Sequence, residues 1–266
     1  MKFKKIILYD EPSVSEIKIS KLIDFLKNNL SIEIELKENI FKEFNNEQIK
    51  NLSSIRVSDT QKPFHKHESN LEELKFENKL CQDSSIMDST TKVEDAKQIN
   101  DVFMYDGFEL QKNLRYLINK NDTLHIVFTN RLVCTYDYKD SRYHGRTVIC
   151  ANPGIISITG IVEAPAKSRE YYLDVISNKS QGLDLDAIKN KHKGTFIDYH
   201  DERLARILEG YLLQVIFYNI TGDAFCENIE CRLNNSHWQK DVLYSQIKIG
   251  KLCNKHQEII DKVNMI

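Results

Sequence analysis

Four side chains near the C-terminus carry donor atoms at spacings that suit a metal ion. Cys226 and Cys231 form a C-x4-C pair, and after an intervening twenty-one residues Cys253 and His256 form a C-x2-H pair. Each pair can supply two corners of a tetrahedron while the intervening chain crosses between them, the arrangement zinc takes in closed protein sites. Thiolates at this density select zinc over magnesium or calcium, whose ions prefer oxygen. Four protein donors leave no corner for water, so the expectation is one structural Zn2+ per chain that stabilises a short tail and performs no reaction. The competing account makes Cys226 and Cys231 small core residues and His256 a polar side chain on a terminal helix. His237 is an alternative fourth donor, although its place beside Trp238 suits capping or packing on a helix expected from Trp238 to Ile247.

A second group of polar residues lies upstream. His200, Asp201 and Glu202 adjoin one another at the start of a long helical pattern, and with His144 or Asp198 they offer mixed nitrogen and oxygen ligands for a divalent ion. The plainer account is a helix N-terminus whose dipole favours acidic side chains, next to an exposed histidine. Cys134 and Cys150 fall on expected strands with His125 and His144 nearby in sequence. Strand cysteines usually serve as small apolar residues, and nucleophilic use would require a depressed pKa. Cys81 and the pair His65 and His67 sit in polar sequence and read as solvated surface. A nucleic-acid finger is disfavoured, because Glu227 and Glu230 occupy the loop where phosphates would require Lys or Arg.

These residues need elements to hold them. The 266 residues, 41% hydrophobic and 29% charged, suffice for a sizeable core, and 37 basic against 39 acidic side chains leave a formal charge of -2 with no general pull on a polyanion. No run approaches the ~20 apolar residues of a membrane span. The apolar stretch Ile6 to Tyr9 is too short for a signal h-region of roughly 7–15 residues, so the chain is taken as unexported and cytoplasmic, with no membrane or nucleic-acid partner. In a reducing compartment clustered cysteines are better metal ligands than disulfides.

Along the chain, Lys4 to Tyr9 predicts a strand, Val14 to Leu30 an amphipathic helix burying Ile17, Ile19, Leu22, Ile23, Phe25 and Leu26, and Ser31 to Lys37 an alternating strand. Residues 1–55 are thus the β-α-β opening of the main domain. Residues 56–100 are polar with apolar side chains at no steady period, which predicts a disordered insert. Within 101–222, the rest of the main domain, Phe108 to Ile118 predicts a helix. Thr123 to Thr135 and Arg146 to Val162 predict strands around the turn Asn152-Pro153-Gly154, and Tyr136 to Gly145 a hairpin or irregular loop. Ala166 to Ser177 predicts a helix and Ser180 to Gly194 a polar link. The strongest period runs from Asp201 to Asn219, a central helix with Asp198 or Asp201 as N-cap and Gly222 as its left-handed end. Residues 223–266 form the zinc-binding segment. The fold class expected is α/β, a mixed sheet backed by helices.

From the long helix through Cys226 and Cys231 to Cys253 and His256, the chain resembles the C-terminal half of the archaemetzincins, zinc peptidases with HExxHxxGxxH followed by C-x4-C-x-M, about seventeen residues, and C-x2-C. Aligning the cysteines puts Gly222 on the helix-ending glycine and Cys226, Cys231 and Cys253 on the first three cysteines. His256 replaces the fourth, Leu233 stands at the Met-turn position, and the last spacer has nineteen residues. The catalytic half departs from the pattern: the three zinc-binding histidines fall on Val215, Asn219 and Phe225 and the general base on Ile216, none of which suits that role. No two histidines of the chain stand four apart. The stretch Arg146 to Tyr172 and His200 to Tyr211 also resemble a group of archaeal proteins labelled metallopeptidases. The resemblance, specific over about sixty C-terminal residues, implies a metzincin-like fold that lacks its reaction centre and binds a peptide or protein. The alternative is an active peptidase with ligands relocated to His200, Asp201, Glu202 and His144.

Overall fold

Strands covered on both faces are apolar along their length, and Lys5–Tyr9 (β1) and Thr123–Thr129 (β4) have that character. The computed structural model describes residues 3–11, 14–83, 103–118, 122–182 and 186–265. In it β1 and β4 lie side by side and parallel, with Tyr9 opposite Val127. Glu33–Lys37 (β2) pairs parallel on the other edge of β1, Gly154–Ser157 (β8) pairs parallel with β4, and Val148–Ile149 (β7) closes the edge antiparallel, giving the order β2-β1-β4-β8-β7. A second sheet of Met104–Asp106 (β3), Leu132–Asp137 (β5) and Arg142–Arg146 (β6) has the order β3-β5-β6, with β5 and β6 forming a hairpin. The expected mixed α/β architecture with helix-backed sheets is present.

Side-chain alternation divides the core between two faces. Ile6, Leu8, Ile126 and Phe128 pack against Ile19–Asn29 (α1) and Leu204–Thr221 (α8). Ile7, Tyr9 and Val127 meet the turn Ile40–Glu43, Asn46–Ser54 (α2) and Gly107–Leu117 (α4). Of the predicted stripe, Ile17 is buried just before α1, Ile19, Leu22 and Leu26 are buried within it, and Ile23 and Phe25 are partly covered. α8 buries eleven of its residues, Leu204 and Phe217 included, because it is covered on several sides.

Five expectations are corrected. The insert is not disordered where it is described: Leu71–Gln82 (α3) is capped by Asn70 in a reciprocal capping box and buries Glu77, Leu80 and Cys81. Its buried contacts are too few for a hydrophobic period, and its main anchor is charged. Residues 84–100 of that span lie outside the described residues. Thr123 to Thr135 is two strands in different sheets, broken where Thr129 Oγ1 accepts the Arg131 N–H at 3.1 Å. The β-branched run after Ser157 is a helix, Ile158–Glu163 (α5), because the Ser157 hydroxyl accepts the Gly160 N–H at 2.8 Å as an N-cap. At the start of α8, Asp201 accepts the Arg203 N–H and no side chain caps the helix. The polar link contains the short helix Asp186–Lys191 (α7), after Arg169–Ser180 (α6), and buries Ile188.

Candidate metal centre

The turn after α8 delivers the first cysteine. Gly222 takes φ 87°, which glycine adopts without a Cβ penalty. Asp223 then accepts the Phe225 N–H at 3.1 Å, aiming the chain at Cys226. Cys226 N–H donates to the Leu233 carbonyl at 2.9 Å and Cys231 N–H to that of Asn228 at 3.0 Å, so the x4 loop is tightly closed. The long spacer folds as Gln239–Val242 (α9), continues as a π-helical turn over Leu243–Ile249, and returns so that Arg232 N–H donates to the Lys251 carbonyl at 2.9 Å. That pairing sets Cys253 beside Cys231, whose sulfur accepts the Cys253 N–H at 3.4 Å.

Cys253 is the N-cap of Asn254–Asn264 (α10), and one turn on His256 points back. His256 Nδ1 lies 3.1 Å from Cys253 Sγ and 3.6 Å from Cys231 Sγ, its ring edge-on to Phe217 at 5.2 Å. The donor atoms of Cys226, Cys231, Cys253 and His256 all lie within 4.8 Å of one another. Zinc–sulfur bonds of ~2.3 Å in a tetrahedron place sulfurs roughly 3.8 Å apart, so this spread and donor set fit zinc. His237 is outside the cluster.

Burial and local hydrogen bonds act differently on the groups of the cluster. Burial pushes the Cys231 thiol up to about 12. Burial also raises Cys253, but hydrogen bonds from the His256 and Lys255 backbone and the thiols of Cys231 and Cys226 outweigh it and bring that thiol below its ordinary value. Burial, then the Lys255 charge, lowers His256, keeping a lone pair available. A divalent ion among these groups would offset the burial penalty on the Cys231 thiolate.

The other sequence candidates are dispersed. His200 pairs with Glu16 at 3.3 Å, Asp201 with Arg203, and His144 with Asp140 at 2.7 Å. Among the described residues no metal-competent group contains His200, Asp201 or Glu202. His144 instead joins Asp140 and Asp137, a residue sequence spacing did not single out, on the exposed β5–β6 hairpin. Burial drives Cys134 well above its ordinary value and Cys150 up to about 12, which suits packing and not nucleophilic attack.

On α8, Val215 and Ile216 are fully buried, and a Cβ built on Gly154 would lie 2.4 Å from Val215 Cγ1, so helix and strand touch there. Asn219 Nδ2 donates to the Val215 and Ala151 carbonyls at 2.9 and 3.0 Å. This stretch of helix is packing surface.

The fold and centre describe an α/β protein with a three-cysteine, one-histidine cluster able to hold zinc. Residues 2–263 match the model of the "Probable metallopeptidase family (DUF6775)", and the chain belongs to that family. No curated protein matches it. Among solved structures, a zinc-dependent peptidase from Methanocorpusculum labreanum (strain Z) is similar over 96% of this chain and 98% of its own, with 10% identity and a TM-score of 0.40, a likeness too loose to argue from.

Proposed function

We propose that this chain is an archaemetzincin-like, metzincin-fold relative within its metallopeptidase family that binds a peptide or protein without cleaving it and holds one structural zinc through Cys226, Cys231, Cys253 and His256. One observation carries this: of the α8 positions that align with a catalytic clamp, Val215 and Ile216 are hydrocarbon locked into the core and Asn219 donates its amide to the Val215 and Ala151 carbonyls, while the complete donor quartet lies beyond the helix, where it leaves zinc no corner for water. The bound ion would cross-link the turn after α8 to the start of α10. A peptidase using His200, Asp201, Glu202 and His144 is the second reading, and their separate ion pairs speak against it.

Elemental analysis with a peptide-cleavage assay before and after mild chelation tests the proposal. The expected result is about one tightly held zinc per chain and no cleavage in either state. Cys226→Ser, Cys231→Ser and Cys253→Ser should each lose the zinc. Cleavage that survives Cys226→Ser and is lost in His200→Ala would overturn it.

A further inference from the structure

At the carboxyl end of the five-stranded sheet, β2 lies to one side of β1 and β8 and β7 to the far side of β4, so the strand order reverses between β1 and β4. Open α/β sheets take ligands in the crevice at such a reversal. Here a side chain of the protein fills the neighbourhood of that crevice. Glu77, in the middle of α3, is fully buried and accepts hydrogen bonds from five donors. Arg131 Nε and Nη2 reach one oxygen at 3.2 and 3.0 Å; Arg56 Nε at 3.0 Å, Arg56 Nη2, and the Tyr105 hydroxyl at 2.8 Å reach the other.

The cradle is built without α3. Arg131 follows β4, pairs with Glu11 just past β1, accepts the Ser157 hydroxyl on its carbonyl at 2.7 Å, and sets its guanidinium 4.2 Å from the Phe41 ring centre. Arg56 bridges Tyr105 through the backbone and lies 4.6 Å from the Phe103 ring centre. Two guanidinium groups against Glu11 alone leave one positive charge in a dry pocket, which Glu77 cancels. Beside Glu77, α3 buries only Leu80 and Cys81, whose sulfur lies 3.5 Å from Arg131 Nη2, and sets the Phe76 ring centre 5.4 Å from the Arg56 guanidinium. A permanent core helix gains as much from an apolar side chain as from a buried ion pair, so the choice of a carboxylate points to recognition by the cradle.

We propose that Arg56, Arg131 and Tyr105 form a carboxylate-binding site, that Glu77 is its resident occupant, and that α3 is a plug displaced by a ligand carrying a carboxylate at a peptide C-terminus or on an acidic side chain. The site stands on the cradle's geometry and is independent of the zinc reading.

Hydrogen exchange on the full zinc-loaded chain tests it, with an acetylated tetra-alanine peptide bearing a free C-terminus, its C-terminal amide, and an amidated version with one glutamate as probes. Amides of residues 71–82 should exchange at least about tenfold faster than those of β4, and a carboxylate-bearing peptide should speed them a further threefold or so, while the neutral amide has no effect. Which of the two charged peptides acts identifies the source of the carboxylate. Exchange of 71–82 in step with β4 under all conditions, or equal acceleration by the neutral amide, would overturn the proposal. Glu77→Gln should bind the effective peptide at least about tenfold more tightly by calorimetry, since its plug has lost its charge; unchanged binding would overturn it too. If that variant does not fold, exchange in the native chain decides alone.

Discussion

The donor cluster was legible in the sequence at the level of single residues because thiol spacing is local information: two short pairs announce themselves whatever lies between. The choice of His256 over His237 was not local, since it depends on the spacer returning through the Arg232–Lys251 hydrogen bond. His256→Cys should keep zinc, because a fourth thiolate completes an equally closed tetrahedron, whereas His256→Ala should lose it; metal content of the purified variants checks both. Asp10 gives a test through pH. Burial, then the Glu11 charge, raises its carboxyl from 3.8 to about 6. The folded state therefore binds the proton more tightly than the unfolded chain, and stability falls as pH rises through the window between these values, with the full penalty above about 6. Asp10→Asn should raise the thermal midpoint at pH 8 and leave it unchanged below about pH 4. Because the group is only half-buried, screening reduces the gain to the order of 1 kcal/mol.

Among the elements, period and punctuation predicted most of what formed: β1, β2, α4, α8 and the glycine that ends α8 lie within a few residues of where spacing put them, and α1 lies inside the predicted Val14 to Leu30 but begins only at Ile19. Failures came where one hydrogen bond overrides composition. The run Ile158 to Val162 (ITGIV) reads as strand by its β-branched residues, yet the Ser157 cap turns it into α5. Gly160 within α5 makes the point testable. Alanine in a helix is ordinarily worth about 1 kcal/mol over glycine. A Cβ at Gly160 would lie 2.2 Å from the Arg146 carbonyl oxygen, a backbone atom that cannot step aside. Overpacking of about 1–3 kcal/mol or more should win, and Gly160→Ala should lower the midpoint in denaturant unfolding.

For the whole molecule, two long-range closures matter. On the proposed reading, in which a zinc cross-link holds that segment, chelation should leave the sheet intact while exposing 223–264 to proteolysis, visible as cleavage confined to the tail by mass spectrometry. Deleting residues 58–98 should lower the thermal midpoint sharply: with Glu77 gone, Arg131 and Arg56 share Glu11 alone, and breaking a buried pair costs about 3–5 kcal/mol. No helix among the described residues is long and apolar enough to cross a membrane. By itself, the sequence determined the α/β class, the long buried helix, its glycine end and the zinc-type donors, since each is written in spacings shorter than one element. Only the tertiary structure decided that His200 and His144 stay apart, that Val215 meets Gly154, and that Glu77 belongs to the core. These depend on which strands become neighbours, and a polar segment joined to the core through one buried carboxylate leaves no periodic trace from which to read it.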